Sequence, residues 1–387
     1  MQLRNFVRRH KWRLRPLKKF VLPARRAKRA LAGFIRRPPA IKRTADYRGQ
    51  SFAGVKEIFP ACQVIEPPSP FGPQQAGVDL VSEPALVYQF KNVQFWARYG
   101  GSVITADRCL LADLSPEVWG TDNHPIFSKI ALPQLRHLPG RSAIAVTPEA
   151  VGNYYHWLLD LLPRAALIQS FASGGFDRLL INGSRQRYEL DSLTALGIPS
   201  EKIFYVTERD RFEIAHALIP SMDHAAKTVA PWKIEALRKL RDSIPVRPAL
   251  ARRIYISRRR AAVRRIINEA AVVDVLRRAN FSFIELDDMA WADQVAIVSA
   301  AETIVAPHGA ALANIAFCRP QTCVAEIATR SGYKDFYRHL ASSAGLRYRV
   351  LEAQPRAAVG KNSARPAENE DMSVDLELVR NFIEELG

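Results

Sequence analysis

The chain has 387 residues, 48% of them hydrophobic, so it can bury a large core, and its length favours two domains over one. Its formal net charge of +18 is concentrated at one end, because Met1–Arg43 contains sixteen Lys and Arg and no Asp or Glu. The four cysteines are scattered without a C-x-x-C pair, so the sequence indicates neither a disulfide framework nor a zinc site, and we expect a reducing cytoplasm.

The basic arm, residues 1–45, interleaves its cations with apolar residues such as Phe6, Trp12 and Phe20. This pattern suits a segment that lies on an anionic membrane surface, although a disordered, solvated tail fits the composition equally well. Nucleic-acid binding is a third option, and the nearly neutral body makes it the weakest. The arm has no apolar run approaching 18 residues and no signal-peptide pattern, so we expect it neither to span a membrane nor to direct export.

Next comes a region, residues 46–225, that we expect to be a first α/β domain. Its part from Ser51 to Leu138 is rich in Pro, Gly and short alternating runs, which predicts strands and loops. Its second half predicts, in order, a strand at SAIAVTP, a helix carrying NYYHWLLDLLPR, a strand at RLLIN, a helix near Gln186–Leu196, and strands at KIFYV and AHALIPS.

Strands and helices alternate more regularly from about Arg252, within a second domain that we expect over 226–352. The predicted strands are RIYIS, FSFIEL, ETIVA, TCVAEI and RYRVLE; the helices between them are INEAAVVDVLRRA, MAWADQVAIVSAA with Asp288 as its cap, a short ALANIAF, and YKDFYRHLASSA. This alternation predicts a parallel, doubly wound sheet. A low-complexity linker over 353–373 and an amphipathic helix over 374–387 follow.

The stretch NYYHWLLDLLPR places three polar side chains, His156, Asp160 and Arg164, on one face of an otherwise apolar helix. Pro163 lacks an N–H for the Leu159 carbonyl, so the helix should kink or end near Asp160. The acid-first order of Asp160 and Arg164 is also favourable for a buried ion pair with His156 as a neighbour. The spacing alone leaves open whether this stripe is catalytic or structural.

A second motif, APHGAALAN at 306–314, follows a predicted strand and opens a helix. Gly309 lets the backbone approach a ligand, small Ala310 leaves the first helical N–H groups uncovered, and His308 could donate to a phosphate. A tight turn with a capping histidine is the alternative.

Upstream, SRRRAAVRRIINE at 257–269 places an arginine cluster just past a strand. Guanidinium groups match phosphate oxygens, and doubly wound sheets bind ligands at strand ends. Glu326 ends a third strand and could accept from ribose hydroxyls. Together these residues predict a nucleotide pocket.

The chain has no G-x-G-x-x-G, no P-loop motif and no D-x-D, so we expect arginines and backbone amides, without a metal, to neutralise a diphosphate.

Four segments resemble, in chain order, the motifs of glycosyltransferase family 61. They are NYYHWLLDLLPR, SRRRAAVRRIINE, APHGAALANIAFC and VAEI. This family includes bacterial capsular polysaccharide enzymes and eukaryotic O-linked N-acetylglucosaminyl and plant xylosyl transferases. The resemblance covers roughly Val146 to Ile327. It implies a GT-B fold of two doubly wound Rossmann-like domains facing across a cleft, and an inverting, metal-independent enzyme without a cofactor.

The resemblance also implies roles for single residues. Asp160 is the candidate base, with His156 as its polar partner, and Arg258 and Arg265 would hold the diphosphate of a UDP-sugar in the 226–352 domain. The remaining donor-site candidates are Asn268, Glu269, His308, Gly309, Ala310, Asn314 and, at the ribose, Glu326. The cluster also contains Arg259, Arg260 and Arg264, so the sequence leaves open which arginine contacts the diphosphate.

The expected partners are therefore a nucleotide-sugar and a glycan acceptor, in capsule or other surface-polysaccharide synthesis. The expected location is the cytoplasm, with the arm on the inner membrane face. Two other readings are an inactive sugar-nucleotide-binding or polysaccharide-assembly protein, and a nucleic-acid binder that uses the arm. Neither the donor sugar, the acceptor, the linkage nor the oligomeric state follows from the sequence.

Overall fold

A computed structural model describes residues 28–29, 39–71, 77–117, 121–172, 175–222, 229–245, 251–356 and 367–386. Most of the basic arm, including its proposed membrane-binding surface, and the middle of the expected linker lie outside these residues. None of the helices in the described part of the chain is long and apolar enough to cross a membrane. All four cysteines are free.

The protein is a mixed α/β protein with several sheets. The strands among the described residues are β1 (Ala40–Lys42), β2 (Phe52–Phe59), β3 (Gln63–Glu66), β4 (Val78–Val81), β5 (Ala85–Trp96), β6 (Ser102–Ile104), β7 (Cys109–Leu111), β8 (Leu135–Ile144), β9 (Arg178–Ile181), β10 (Ile203–Tyr205), β11 (Arg211–Pro220), β12 (Arg253–Ile256), β13 (Ser282–Ile284), β14 (Thr303–Pro307), β15 (Cys323–Ala328), β16 (Arg347–Glu352), β17 (Gln354–Arg356) and β18 (Asp371–Ser373). The α-helices are α1 (Tyr154–His156), α2 (Leu162–Phe171), α3 (Arg187–Ala195), α4 (Pro231–Asp242), α5 (Glu269–Arg278), α6 (Trp291–Ala300), α7 (Phe336–Ala344) and α8 (Leu376–Glu384).

These elements form two compact units. The first contains the described parts of Met1–Ile58, Ala85–Gln186 and Gly197–Met222. The second contains those of Phe59–Pro84, Arg187–Leu196 and Asp223–Gly387. The second unit therefore includes the β3–β4 hairpin and α3, which precede most of it in sequence.

The first unit is built on a mixed sheet in the order β1-β7-β6-β5-β11-β8-β9-β10, with β2 also paired to β5. Three successive pairs of this sheet are parallel: β11 with β8, β8 with β9, and β9 with β10. Strand β5 instead pairs antiparallel with both β6 and β11. The sheet is thus mixed, and only part of it is parallel, unlike the parallel, doubly wound sheet expected of this domain. Short connections such as that between β5 and β6 allow antiparallel pairing, while the parallel β8–β9 pair requires the crossover through α1 and α2. Large buried side chains, among them Phe90, Phe95 and Phe212, form its core.

The second unit contains the predicted parallel sheet, in the order β13-β12-β14-β15-β16. All five strands lie within one or two residues of the predicted segments, because their apolar runs are bounded by turns and separated by helical patterns. The predicted cap of α6 is wrong: Ala290 is the N-cap residue, because a turn at 286–289 delays the helix, and Asp288 pairs with Arg260 instead. The predicted short helix at 311–317 is a 3₁₀ helix, Ala310–Phe317.

The C-terminal helix is present as α8, and Asp375 caps it by accepting from the Glu377 N–H at 2.9 Å. Its buried residues Val379 and Phe382 join the core of the second unit. The two ends of the expected linker are ordered, since β17 and β18 pair antiparallel.

Candidate functional site

In the second unit, the candidate residues collect at one place on the sheet edge. With the five strands numbered in chain order, their spatial order is 2-1-3-4-5, so the order reverses between β12 and β14. Open parallel sheets bind ligands beyond the carboxyl ends of their strands at such a switch point. Arg258 follows β12 and His308 and Gly309 follow β14, so these three residues lie at the switch point.

Arg258 lies directly against the backbone of Gly309. A Cβ atom on Gly309 would be 2.1 Å from Arg258 Nη1, a distance at which one of the two groups must move. The Arg258 Nε–H donates to the Val263 carbonyl at 3.2 Å, and the Tyr337 hydroxyl donates to the Gly309 carbonyl at 2.6 Å. Gly309 is therefore required for a close approach, as its position in the motif predicted.

Arg264 is the second cation here. Burial lowers the pKa of Arg258 to about 10, with repulsion from Arg264 as the next cause, and burial likewise lowers the pKa of Arg264. Arg264 has a φ of 59°, an unfavourable conformation for a long side chain. Within the described residues neither arginine forms a salt bridge, and Arg264 Nε is buried without a hydrogen-bond partner. Asp287 acts on Arg258, and Glu368 and Glu326 act on Arg264, only electrostatically, without a salt bridge. Two adjacent, partly buried cations without a carboxylate in direct contact form a site suited to an anion.

The other arginines of the cluster have carboxylate partners. Arg259 pairs with Glu285 at 2.6 Å, and Arg260 pairs with Asp288. Arg265 is half-exposed, and its Nε and Nη2 both donate to Asp371 Oδ2, at 3.3 and 2.8 Å. The structure thus places Arg264, not Arg265, beside Arg258.

Asn268 and Glu269 are also engaged in structural contacts. Asn268 forms two hydrogen bonds with the backbone of Val374, donating to its carbonyl at 2.8 Å and accepting from its N–H at 3.0 Å. Glu269 Oε1 accepts from the hydroxyls of Tyr255 and Ser257 at 2.7 and 2.8 Å. With the Arg265–Asp371 pair, the Asn268 contacts attach the segment ahead of α8 to residues 257–268, the arginine loop.

His308 and Glu326 contact one another instead of pointing separately into a pocket. Glu326 is fully buried; one carboxylate oxygen meets His308 Nδ1 and the other accepts from the Tyr348 hydroxyl. This contact occupies Nδ1, so Nε2 is the ring atom through which His308 could meet a ligand. Of the other two residues of this motif, Ala310 is half-buried, and Asn314 is buried, with its Nδ2 donating to the side-chain Oε1 of Gln294 at 3.5 Å.

The first unit contains the stripe of the NYYHWLLDLLPR helix. His156 and Asp160 meet as predicted, with Nδ1–Oδ2 at 2.6 Å. The other ring nitrogen, Nε2, lies 2.9 Å from Glu149 Oε2. Burial alone lowers the pKa of His156, but hydrogen bonds to Asp160 and then Glu149 outweigh it and raise the pKa to about 9. This trio therefore combines one imidazolium with two carboxylates at neutral pH.

The raised pKa fixes how the trio contributes to stability. Its ion pairs stabilise the fold fully below the pKa of a free histidine, about 6.5. That contribution is lost as the pH rises through about 9.

The backbone around Asp160 is irregular. Residues Trp157–Leu161 form a π-helical turn between α1 and α2, directly ahead of Pro163. The helix does not end there; the wider turn accommodates a proline that offers no N–H to the Leu159 carbonyl. Such turns are frequent at functional sites.

Arg164 is buried and its guanidinium donates to the carbonyls of Val146 and, at 3.0 Å, Pro220. These carbonyls lie at the carboxyl ends of the parallel strands β8 and β11. Arg164 thus ties the helix to that edge of the sheet, which favours the supporting role over the simple Asp160–Arg164 ion pair.

Two residues of these sites were not singled out from the sequence. Glu149 lies in a loop seven residues before His156, and Tyr337 lies on α7, so neither belongs to a helical or strand spacing with its partners. Only the fold brings them to His156 and Gly309.

Residues 154–325 match the protein family Glycosyltransferase 61. No curated protein matches the chain. The matched residues include His156 and Asp160 in the first unit and the Arg258–Gly309 contact in the second. The protein is therefore a glycosyltransferase, with a family 61 domain over residues 154–325.

Proposed function

We propose that the protein transfers a sugar, with inversion, from a UDP-sugar to a hydroxyl of a glycan acceptor. The observation that carries the proposal is the pair of partly buried cations, Arg258 and Arg264, at the switch point beside Gly309. A nucleoside diphosphate would supply the direct anionic contact that neither guanidinium group makes with the described residues. For the fold we propose the GT-B class that the resemblance implies.

The proposed reaction is a single displacement. The Asp160 carboxylate takes the proton of the acceptor hydroxyl, and the oxygen attacks the anomeric carbon. The bond from that carbon to the diphosphate breaks, and the nucleoside diphosphate leaves with the electron pair. Arg258 and Arg264 stabilise its negative charge, so the reaction needs no metal ion in this proposal.

In the donor site, we propose that His308 meets the diphosphate through Nε2 while Glu326 holds its ring. Full burial of Glu326 and its contact with His308 favour this indirect role over direct binding of ribose. Arg265 and Asn268 then act on the site through the backbone of the arginine loop, and Glu269 through Ser257.

The biological role we propose is synthesis of a capsular or other surface polysaccharide, with the basic arm holding the enzyme on the inner face of an anionic membrane. The charge of Met1–Arg43 supports the membrane part of this proposal. Loss of vesicle binding on deletion of residues 1–43 would be the matching observation.

A thermal-shift screen against UDP-, GDP-, CMP- and dTDP-sugars tests the donor class. We expect UDP-sugars and UDP to raise the Tm, because a ligand at 100 times its Kd adds about 2.7 kcal/mol to the stability of the folded state. The shift should persist in EDTA and become smaller in an Arg258→Ala variant. A shift with CMP-sugars alone would contradict a diphosphate donor, and a shift that requires a divalent metal would contradict metal independence.

The contact between Gly309 and Arg258 gives a second test. In Gly309→Ala the new methyl group must displace the Arg258 guanidinium, so we expect UDP affinity by calorimetry to fall roughly 10- to 100-fold, the range of one charge-assisted hydrogen bond. The same substitution in an Arg258→Ala background should change affinity little, because the displaced group is already gone. Equal losses in both backgrounds would show that the methyl group acts on something other than Arg258.

A further inference from the structure

The contact that no motif predicted is the one between Glu149 and His156. Each nitrogen of the imidazole meets one carboxylate, Asp160 at 2.6 Å and Glu149 at 2.9 Å. The exposed fractions of the three side chains are 24% for His156, 25% for Glu149 and 35% for Asp160. All three therefore remain accessible, and Asp160 is the most accessible of them.

We propose that Glu149 belongs to the proton-accepting group of the enzyme, as a positioning residue that shares the positive charge of His156 with Asp160. The inference rests on the proposed role of Asp160 as the base. Glu149 itself does not touch the acceptor; it acts through the imidazole.

The charge balance explains why a second carboxylate matters. A carboxylate paired with its own imidazolium is neutralised and becomes a poor base, because the opposite charge favours its ionised form. One imidazolium between two carboxylates leaves the trio with one negative charge. When Asp160 takes the acceptor proton, the trio becomes neutral, and Glu149 still provides a counter-charge for His156.

Geometry gives Glu149 a second effect. A histidine held at both nitrogens cannot rotate about its ring axis, so Nδ1 stays directed at Asp160. The other groups facing the trio fit this picture: the Tyr155 ring packs edge-on against His156 with centroids 5.3 Å apart, and Arg164 acts on Asp160 electrostatically while its guanidinium binds backbone carbonyls.

The test is Glu149→Gln, which keeps the shape of the side chain and removes its charge. We expect the pKa of His156, followed by NMR titration and assigned with a His156→Gln variant, to fall by roughly 1–3 units, the effect of losing one adjacent opposite charge. We also expect kcat for transfer to fall about 10-fold at neutral pH with little change in acceptor KM, since the base becomes weaker but the acceptor contacts remain.

The exposed His137–Glu213 pair of the same unit, 3.6 Å apart, offers a matched control. Glu213→Gln removes a glutamate from a histidine in the same way and should leave kcat and the His156 titration unchanged. Glu149→Asp, which keeps the charge, should retain more of both properties than Glu149→Gln, and serves as the test variant if the Gln variant is unstable.

A Glu149→Gln variant with the wild-type kcat, pH profile and His156 titration would overturn the inference. Its failure is separable from failure of the proposed base: if Asp160→Asn is inactive while Glu149→Gln behaves as wild type, only the role of Glu149 is wrong. If Asp160→Asn transfers sugar at the wild-type rate, the proposed base is wrong, and the role of Glu149 falls with it.

Discussion

Asp160→Asn should lower kcat for sugar transfer by about 10²- to 10⁴-fold, the range that a positioned general base contributes. An amide has the shape of the carboxylate but cannot take the acceptor proton. UDP affinity should stay close to that of the wild type, because the proposed donor contacts come from other residues. The measurement is initial-rate kinetics with the donor found by the thermal-shift screen, together with calorimetry for UDP.

A matched control for this substitution exists on α3. Asp191 is 34% exposed and pairs with Arg187 at i,i+4, as Asp160, 35% exposed, pairs with His156. Asp191→Asn therefore removes a helical ion pair whose aspartate is similarly exposed, and should leave kcat unchanged. Full transfer activity in a folded Asp160→Asn variant would assign the base to another group.

Arg258→Ala and Arg264→Ala should each weaken UDP binding by roughly 10- to 100-fold, the loss of a charge-assisted contact with the diphosphate. Calorimetric titration of UDP gives the two affinities directly. Because the two cations repel each other and would share one ligand, the double variant should lose less than the sum of the single effects in free energy. Unchanged affinity in both single variants would remove these residues from the phosphate site.

Substitution of the neighbouring arginines, Arg259 and Arg265, provides the control for these two variants. Arg259 is exposed and paired with Glu285, so Arg259→Ala should leave UDP affinity unchanged. Arg265→Ala should chiefly lower the Tm, because it removes the guanidinium partner of buried Asp371 and loosens the segment ahead of α8. A large loss of UDP affinity in Arg265→Ala, without such a loss in Arg264→Ala, would restore the assignment that the family motif suggested.

The arginine cluster shows which features of the candidate site the sequence alone does not predict. The motif predicted cations past the end of β12, and they are there. It could not rank Arg258, Arg259, Arg260, Arg264 and Arg265, because a guanidinium is neutralised or left available by carboxylates distant in sequence. Glu285, Asp288 and Asp371 decide that ranking, and their positions depend on how the chain folds back over the loop.

The helix with Asp160 shows the same limit. Spacing correctly predicted that His156 meets Asp160, and Pro163 correctly predicted a disturbance nearby, because both effects act within one or two turns of helix. The form of the disturbance, a π-helical turn within a continuing helix, depends on packing against the sheet. The spacing also favoured an ion pair between Arg164 and Asp160, but the Arg164 guanidinium donates to the carbonyls of Val146 and Pro220. Those carbonyls are distant in sequence, so helical spacing could not predict the contact.

The sequence by itself determined the alternation of strands and helices in the second unit and the match of residues 154–325 to glycosyltransferase family 61. Those features follow from local periodicity and short motifs, whose physical basis lies within a few neighbouring residues. The tertiary structure alone decided that Glu149 meets His156, that Arg264 lies beside Arg258, and that Glu326 is buried behind His308. Each of these contacts joins residues from separate loops or strands, so it forms only when the folded sheet brings them together. Burial then makes an unpaired charge unfavourable, which favours the contact.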